Sequence, residues 1–229
     1  MKSDQMINQA RVIRSIEWIQ LPPEVTKLRG VAQASTKALE TELAAPIHQA
    51  TSVQGVVVSF GGLPIRSLVV KALKALSLVG FEGRTIVMPA PSAEVPTYGL
   101  DVEFLPPSSR FHSYLAAADL AICAAGLTLY EAAFLGVPTV CLAVLSTSGQ
   151  HRSHQLDETG PRMQEAGACR FVGLGDSLSP QQLARHIGEL LHSAELRGRM
   201  SANGMRLLDG KGLIRTADAI LSLLPRSPH

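Results

Sequence analysis

Aromatic residues are scarce, at 4% of the 229-residue chain. That leaves too few rings for a stacking strip along single-stranded nucleic acid. Excess charge is missing too: 21 Lys and Arg against 19 Asp and Glu give a formal net charge of +2. A nucleic-acid or anionic-membrane surface would need a larger basic excess, so no nucleic-acid partner is expected. No stretch approaches the ~20 apolar residues of a membrane-spanning helix, and the opening "MKSDQMINQARVIRS" has no apolar core of a signal peptide. The expectation is a cytoplasmic protein with no integral membrane segment. Cys123, Cys141 and Cys169 lie far apart, without CxxC or metal-ligand spacing. They read as buried, reduced thiols, and neither a metal nor a cofactor is expected. Neither a GxGxxG fingerprint nor a Walker loop is present, which excludes the dinucleotide and P-loop readings.

What remains is apolar and regular. Hydrophobic residues make up 46% of the chain, enough for one good-sized domain with an extension or two small domains. From residue 55 onward, short apolar runs alternate with helical spacing. "GVVVSF" (55–60), "TIVM" (85–88), "VEFL" (102–105), "LAICAA" (120–125), "TVCLAVL" (139–145) and "CRFVG" (169–173) read as strands. Helices are expected at 65–79, 111–117, after Thr128, near 154–166, and at 180–192, 194–208 and 212–224. This alternation predicts an α/β fold, Rossmann-like, with a mainly parallel sheet of about six strands and helices on both faces. Val57, Val58, Leu73, Ile86, Ile122, Val140 and Leu142 are its expected core.

The domain division places an extension or linker at 1–51 and the α/β domain at 52–229. Polar "HQATSVQG" separates the two. Residues 6–21 carry Ile13, Ile16, Trp18, Ile19 and Leu21, ahead of Pro22-Pro23. They are expected to pack on the domain or on a second copy of the chain, covering Leu213, Ile214, Ala217, Ile220, Leu221 and Leu224 of the last helix and leaving the nucleotide edge accessible. The other reading of this segment is a leader without packing.

Ligands of open parallel sheets bind beyond the carboxyl ends of the strands. Four stretches converge there: Gly61-Gly62, Leu105-Pro106, Gly126 to Thr128, and the 146–155 loop. Glycine at a strand end lets a phosphate approach the backbone, and the following helix N-terminus offers N–H groups and a positive dipole. Gly61-Gly62 can equally be a tight turn that requires small residues. Thr128-x-x-Glu131 fits a capping box, in which each side chain bonds the other residue's backbone N–H. It also fits a nucleotide site, with Thr128 offering a hydroxyl to phosphate and Glu131 accepting from a ribose diol. His154 and Gln155 are either solvated loop residues or contacts to phosphate or sugar.

In order and spacing, "VVVSFGG", "AAADLAICAAGLTLYEAAFLGVPTV", His154-Gln155 and "EAGA" (165–168) resemble the C-terminal half of GT-B glycosyltransferases. The nearest likenesses are the UDP-N-acetylglucosamine transferase that makes lipid II and the UDP-sugar hydrolase of pseudaminic acid synthesis. "LLDGKGLIRTADAI" (207–220) leans toward the hydrolase. The resemblance covers about 55–224.

The resemblance implies a UDP-sugar or UDP as ligand. Gly61 and Gly62 would approach the diphosphate, and Phe104 and Leu105 would meet the uracil edge. Gly126, Leu127 and Thr128 would contact phosphate, Glu131 would hold the ribose, and His154 and Gln155 would meet sugar or diphosphate. Two departures stand out. Pro64 follows the glycines where relatives usually carry a Ser or an Asp. The N-terminal stretch is short and has no Gly-x-Gly-His segment, His48 being its only histidine, so the catalytic residues are unknown. Three function classes follow: the donor-binding subunit of a two-chain transferase, completed by a second subunit or a homodimer; a non-catalytic nucleotide-sugar sensor; or part of a longer enzyme.

Overall fold

The structure, a computed structural model, describes residues 19–29, 52–62, 65–144 and 154–223. Six strands form one sheet in the order β3-β2-β1-β4-β5-β6, with every pairing parallel. They are β1 (Gly55–Ser59), β2 (Arg84–Val87), β3 (Asp101–Phe104), β4 (Leu120–Ala124), β5 (Thr139–Ala143) and β6 (Arg170–Leu174). β4 and β5 are buried at every position, which explains their unbroken apolar runs: in a parallel sheet covered on both faces no side chain turns to water. The edge strands β3 and β6 are only half-buried. Val57, Val58, Leu73, Ile86, Ile122, Val140 and Leu142 are all buried, as expected.

Eight helices are described: α1 (23–29), α2 (Arg66–Leu78), α3 (Phe111–Ala116), α4 (Leu127–Leu135), α5 (Gly160–Glu165), α6 (Pro180–Leu191), α7 (Ala194–Leu207) and α8 (Gly212–Leu223). A π turn, Gln155–Thr159, leads into α5. On one face, Leu68, Leu73 and Leu76 of α2 meet Leu183, Ile187 and Leu190 of α6 over β1, β4 and β5. On the other, α3 brings Leu115 onto Val57 and Ala121, while α4 brings Leu129 and Phe134 onto Cys123 and Cys141. Cys123, Cys141 and Cys169 are buried and free.

The N-terminal segment shows a helix that the sequence pattern did not. Pro23 opens α1, because proline's fixed φ and missing N–H suit the first helical turn. Leu21 and Val25 are buried against α4 and the sheet rather than against α8. Toward α8, Gln20 Nε2 donates to Thr216 Oγ1 at 3.3 Å. Leu213, Ile214, Ile220 and Leu221 are exposed among the described residues, and residues 6–18, most of the segment expected to cover them, lie outside the described residues. Ile13, Ile16, Trp18, His48, Pro64 and Leu224 lie outside the described residues.

Candidate functional site

The strand order reverses between β1 and β4, since chain order runs outward from β1 on one side and from β4 on the other. Loops diverge at such a point and leave a crevice at the carboxyl ends of the strands. A cavity of about 430 Å³ lies there, within the range of small-molecule sites. Its floor comes from Ser59 and Phe60 after β1 and from Ala124 at the end of β4. Gly61 and Gly62, the start of α4 and the start of α3 form its walls. Gly61 has φ +100, a left-handed conformation that glycine adopts without strain.

The start of α4 decides between the two readings of Thr128 and Glu131. The helix begins at Leu127 with Gly126 as N-cap, and no side chain caps it. Thr128 is therefore inside the first turn rather than at the cap position, and the capping-box reading fails. The Leu127 and Thr128 N–H groups head the helix, where the spiral supplies no acceptor, and both residues line the cavity. α4 is apolar nearly all round, so it is buried, and its first turn is held against the crevice.

Glu131 is 4% exposed and lines the cavity. Its Oε1 lies 3.2 Å from Nε2 of His112 on α3. Burial pushes the Glu131 carboxyl above its ordinary value of 4.5, while electrostatic attraction to His112 and its hydrogen bond pull the other way. Burial of a carboxylate with one hydrogen-bonding partner among the described residues carries a desolvation cost.

Gln155 closes the far wall. Its Oε1 accepts from the Val144 N–H at 3.0 Å, and its Nε2 lies 3.5 Å from where a Cβ on Gly126 would stand. The fold thus turns the amide toward the glycine at the head of α4.

Gly61, Gly62, Gly126, Leu127, Thr128, Glu131 and Gln155 therefore share one cavity. Phe104, Leu105 and His154 are not among its lining residues. Phe104 is half-buried and packs on the core of β1 and α2. The Leu105 N–H donates to Val87 O at 3.0 Å and its C=O accepts from Ala90 at 2.8 Å, so its backbone donor is already paired. His154 is exposed and its ring faces Thr159 Oγ1 at 3.1 Å and Glu158 Oε2 at 3.2 Å. Phe111 and His112, which the sequence pattern shows only as helix, do line the cavity. The one available signal was position: they open the helix that follows β3, at the same sheet edge as Gly126.

No Lys or Arg lines the cavity among the described residues. A bound anion would be met by the backbone N–H groups and dipole at the head of α4. Among the described residues, no group of His, Cys, Asp and Glu could hold a metal ion, and no helix is long and apolar enough to cross a membrane.

No family model matches the chain. Over 106 residues it is 33% identical to the spore coat polysaccharide biosynthesis protein SpsG of Bacillus subtilis, covering 46% of this chain and 29% of that protein. Among solved structures it resembles MurG of Acinetobacter baumannii with TM-score 0.62 at 19% identity, covering 77% of this chain and 52% of MurG. It also resembles UDP-GlcNAc 2-epimerase of Neisseria meningitidis bound to UDP-GlcNAc, with TM-score 0.53 at 15% identity, covering 86% and 52% respectively. The chain spans about half the length of these two structures and less than a third of SpsG. The fold is a Rossmann-like α/β unit shared with about half of each of these two solved structures.

Proposed function

We propose that this chain is the UDP-sugar-binding half of a GT-B-type glycosyltransferase or a related UDP-sugar hydrolase. The observation that carries the reading is the pairing of an uncapped helix N-terminus with a buried carboxylate one turn along the same helix, both facing one cavity at the strand switch point. The first suits a diphosphate. The second suits a ribose diol, whose two hydroxyls can donate to one carboxylate. The UDP-GlcNAc held by the epimerase of matching fold supports this choice of ligand.

Each wall then has a task. Gly61 and Gly62 let the diphosphate approach the end of β1. The Leu127 and Thr128 N–H groups, with the Thr128 hydroxyl, neutralise it in part. Glu131 accepts from the ribose, and Gln155 presents its amide to the phosphate or sugar. Catalysis needs a group that attacks or activates the acceptor, and we assign that group to a partner domain or subunit facing the cavity. A sensor that binds without turnover has the same cavity and differs only in lacking that partner.

Calorimetry with UDP, UDP-N-acetylglucosamine, TDP and ADP tests the reading. Uridine nucleotides are expected to bind tightest, and ADP binding as well as UDP, or no binding at all, would overturn it. Turnover of UDP-N-acetylglucosamine with and without a co-purifying partner separates transferase subunit from sensor.

A further inference from the structure

Glu131 has one hydrogen-bonding partner among the described residues, and that partner comes from a different helix. A carboxylate can accept about four hydrogen bonds, so most of its capacity is unmet by the described residues. His112 is itself largely buried, with 18% of its side chain exposed, and its ring stands edge-on to Phe111 at 5.5 Å between centroids. Its Nδ1 is buried without a partner.

That orphaned atom fixes the tautomer. A proton on Nδ1 would leave an N–H donor buried and unpaired, whereas a bare Nδ1 leaves only a lone pair. The Nε2 therefore carries the proton and donates to Glu131 Oε1. Held at that oxygen, the carboxylate keeps Oε2 for the cavity.

Resting on the uridine nucleotide reading above, we infer that His112 is a positioning residue for ribose recognition: it fixes the Glu131 carboxylate so that its second oxygen meets the ribose hydroxyls. It touches no phosphate and takes no proton from substrate. Its contribution is to the choice of a ribonucleotide over an analogue without the diol.

The readout is the ratio of affinities for UDP and for dideoxyuridine diphosphate, which lacks both ribose hydroxyls, in wild type and in three variants. His112→Ala should shrink the ratio by about tenfold, the scale of a hydrogen bond to a charged group. His112→Gln, whose amide nitrogen reaches about as far as Nε2, should hold the ratio within about threefold, while the shorter His112→Asn should behave as Ala does. A merely structural role would lower both affinities together and leave the ratio alone. An unchanged ratio in folded His112→Ala, or a His112→Gln ratio as low as that of Ala, overturns the inference. If His112→Ala does not fold, Gln and Asn are compared, and equal ratios overturn it. Wild type binding UDP without preferring it over the dideoxy analogue refutes this role but leaves UDP binding intact. Wild type binding neither refutes the functional reading itself.

Discussion

Glu131 follows Thr128 by three residues on α4, yet its carboxylate bonds His112 of α3 and not the helix start. The local spacing suits a cap, but Gly126 occupies the cap position and displaces the pair by two residues along the helix. A buried acid released from capping is exposed to the full cost of its own desolvation, offset in part by His112.

That cost predicts a trade between stability and binding. Burial raises the folded-state value of Glu131 above 4.5, so the folded state holds this proton more tightly than the unfolded chain does. Stability from this group is full below about pH 4.5, and is lost as pH rises through the raised folded value. Glu131→Gln removes the charge and keeps an acceptor for His112. The unliganded variant should melt higher than wild type at neutral pH, by about 2–4 °C for each kcal/mol recovered, with the difference narrowing toward acid. UDP affinity should fall by about 1–3 kcal/mol, the worth of a hydrogen bond to a charged acceptor. Melting and calorimetry on the same samples check both halves; a variant that melts lower and binds as wild type would reverse the argument.

Gly126→Ala should do the opposite of a core mutation. A Cβ there would meet Gln155 Nε2 at 3.5 Å, an ordinary contact, and the backbone φ of −115 is open to any residue. The melting temperature should shift by no more than about 2 °C, under about 1 kcal/mol for a domain of this size. The methyl group would nevertheless stand at the head of α4, between the backbone N–H groups and an anion. UDP binding should weaken by about tenfold or more, since a hydrogen bond to a charged group is worth about 1.5–3 kcal/mol.

The strands were legible because the physics that buries them is local. A parallel strand covered on both faces is apolar at nearly every position, so β4 and β5 announce themselves as runs ending at Gly126 and Ala143. The cavity glycines were legible for a related reason: they interrupt those runs where the chain must turn. His112 was not legible. It lies nineteen positions from Glu131, and only the stacking of α3 beside α4 brings the two together. The capping box was misplaced for the same lack of context. The box that this fold does use is Ser179 with Gln182, where Gln182 N–H donates to Ser179 Oγ at 3.1 Å and Ser179 N–H to Gln182 Oε1 at 2.8 Å. The "DGKG" segment also has a structural explanation. Asp209 accepts from the Lys211 N–H at 2.9 Å and pairs with Arg215, while Gly210, at φ +74, packs on Phe134.

Arg29 ties the N-terminal segment to the domain. Its guanidinium stacks 4.4 Å from the Phe134 ring centroid and donates to Leu208 O at 2.7 Å and Met205 O at 2.8 Å. These carbonyls end α7, where a cation is favourable to the helix dipole. Arg29→Ala should therefore cost about 2 kcal/mol of stability, combining the lost charged hydrogen bonds with the lost ring contact. Arg29→Lys should recover only part of it, because an ammonium cannot bridge two carbonyls and stack flat on the ring. Denaturant titration measures both, and equal midpoints for Lys and wild type would show that charge alone suffices.

The position of α4 depends on a glycine in α7. Gly204 faces Ala133, and a Cβ on Gly204 would come within 2.7 Å of Ala133 O and 3.0 Å of its Cα. Both are backbone atoms, so no side chain can swing away and α4 itself must move. Gly→Ala inside a helix ordinarily stabilises by about 1 kcal/mol. Here overpacking works against that gain and costs about 1–3 kcal/mol, so Gly204→Ala should be destabilising or at best neutral. Gly188→Ala on α6 is the matched control: its Cβ would meet Val79 Cγ1 at 3.6 Å, an ordinary contact, and the helix-propensity gain should appear in full. The consequence reaches the ligand. Ala133 is two residues from Glu131 on the same short helix, so a displaced α4 carries both the carboxylate and the Leu127 and Thr128 N–H groups away from their places around the cavity. Gly204→Ala should thus weaken UDP binding without touching the site, while Gly188→Ala leaves it unchanged. If Gly204→Ala proves as stable as Gly188→Ala and binds UDP equally well, the close approach of α7 does not set the position of α4.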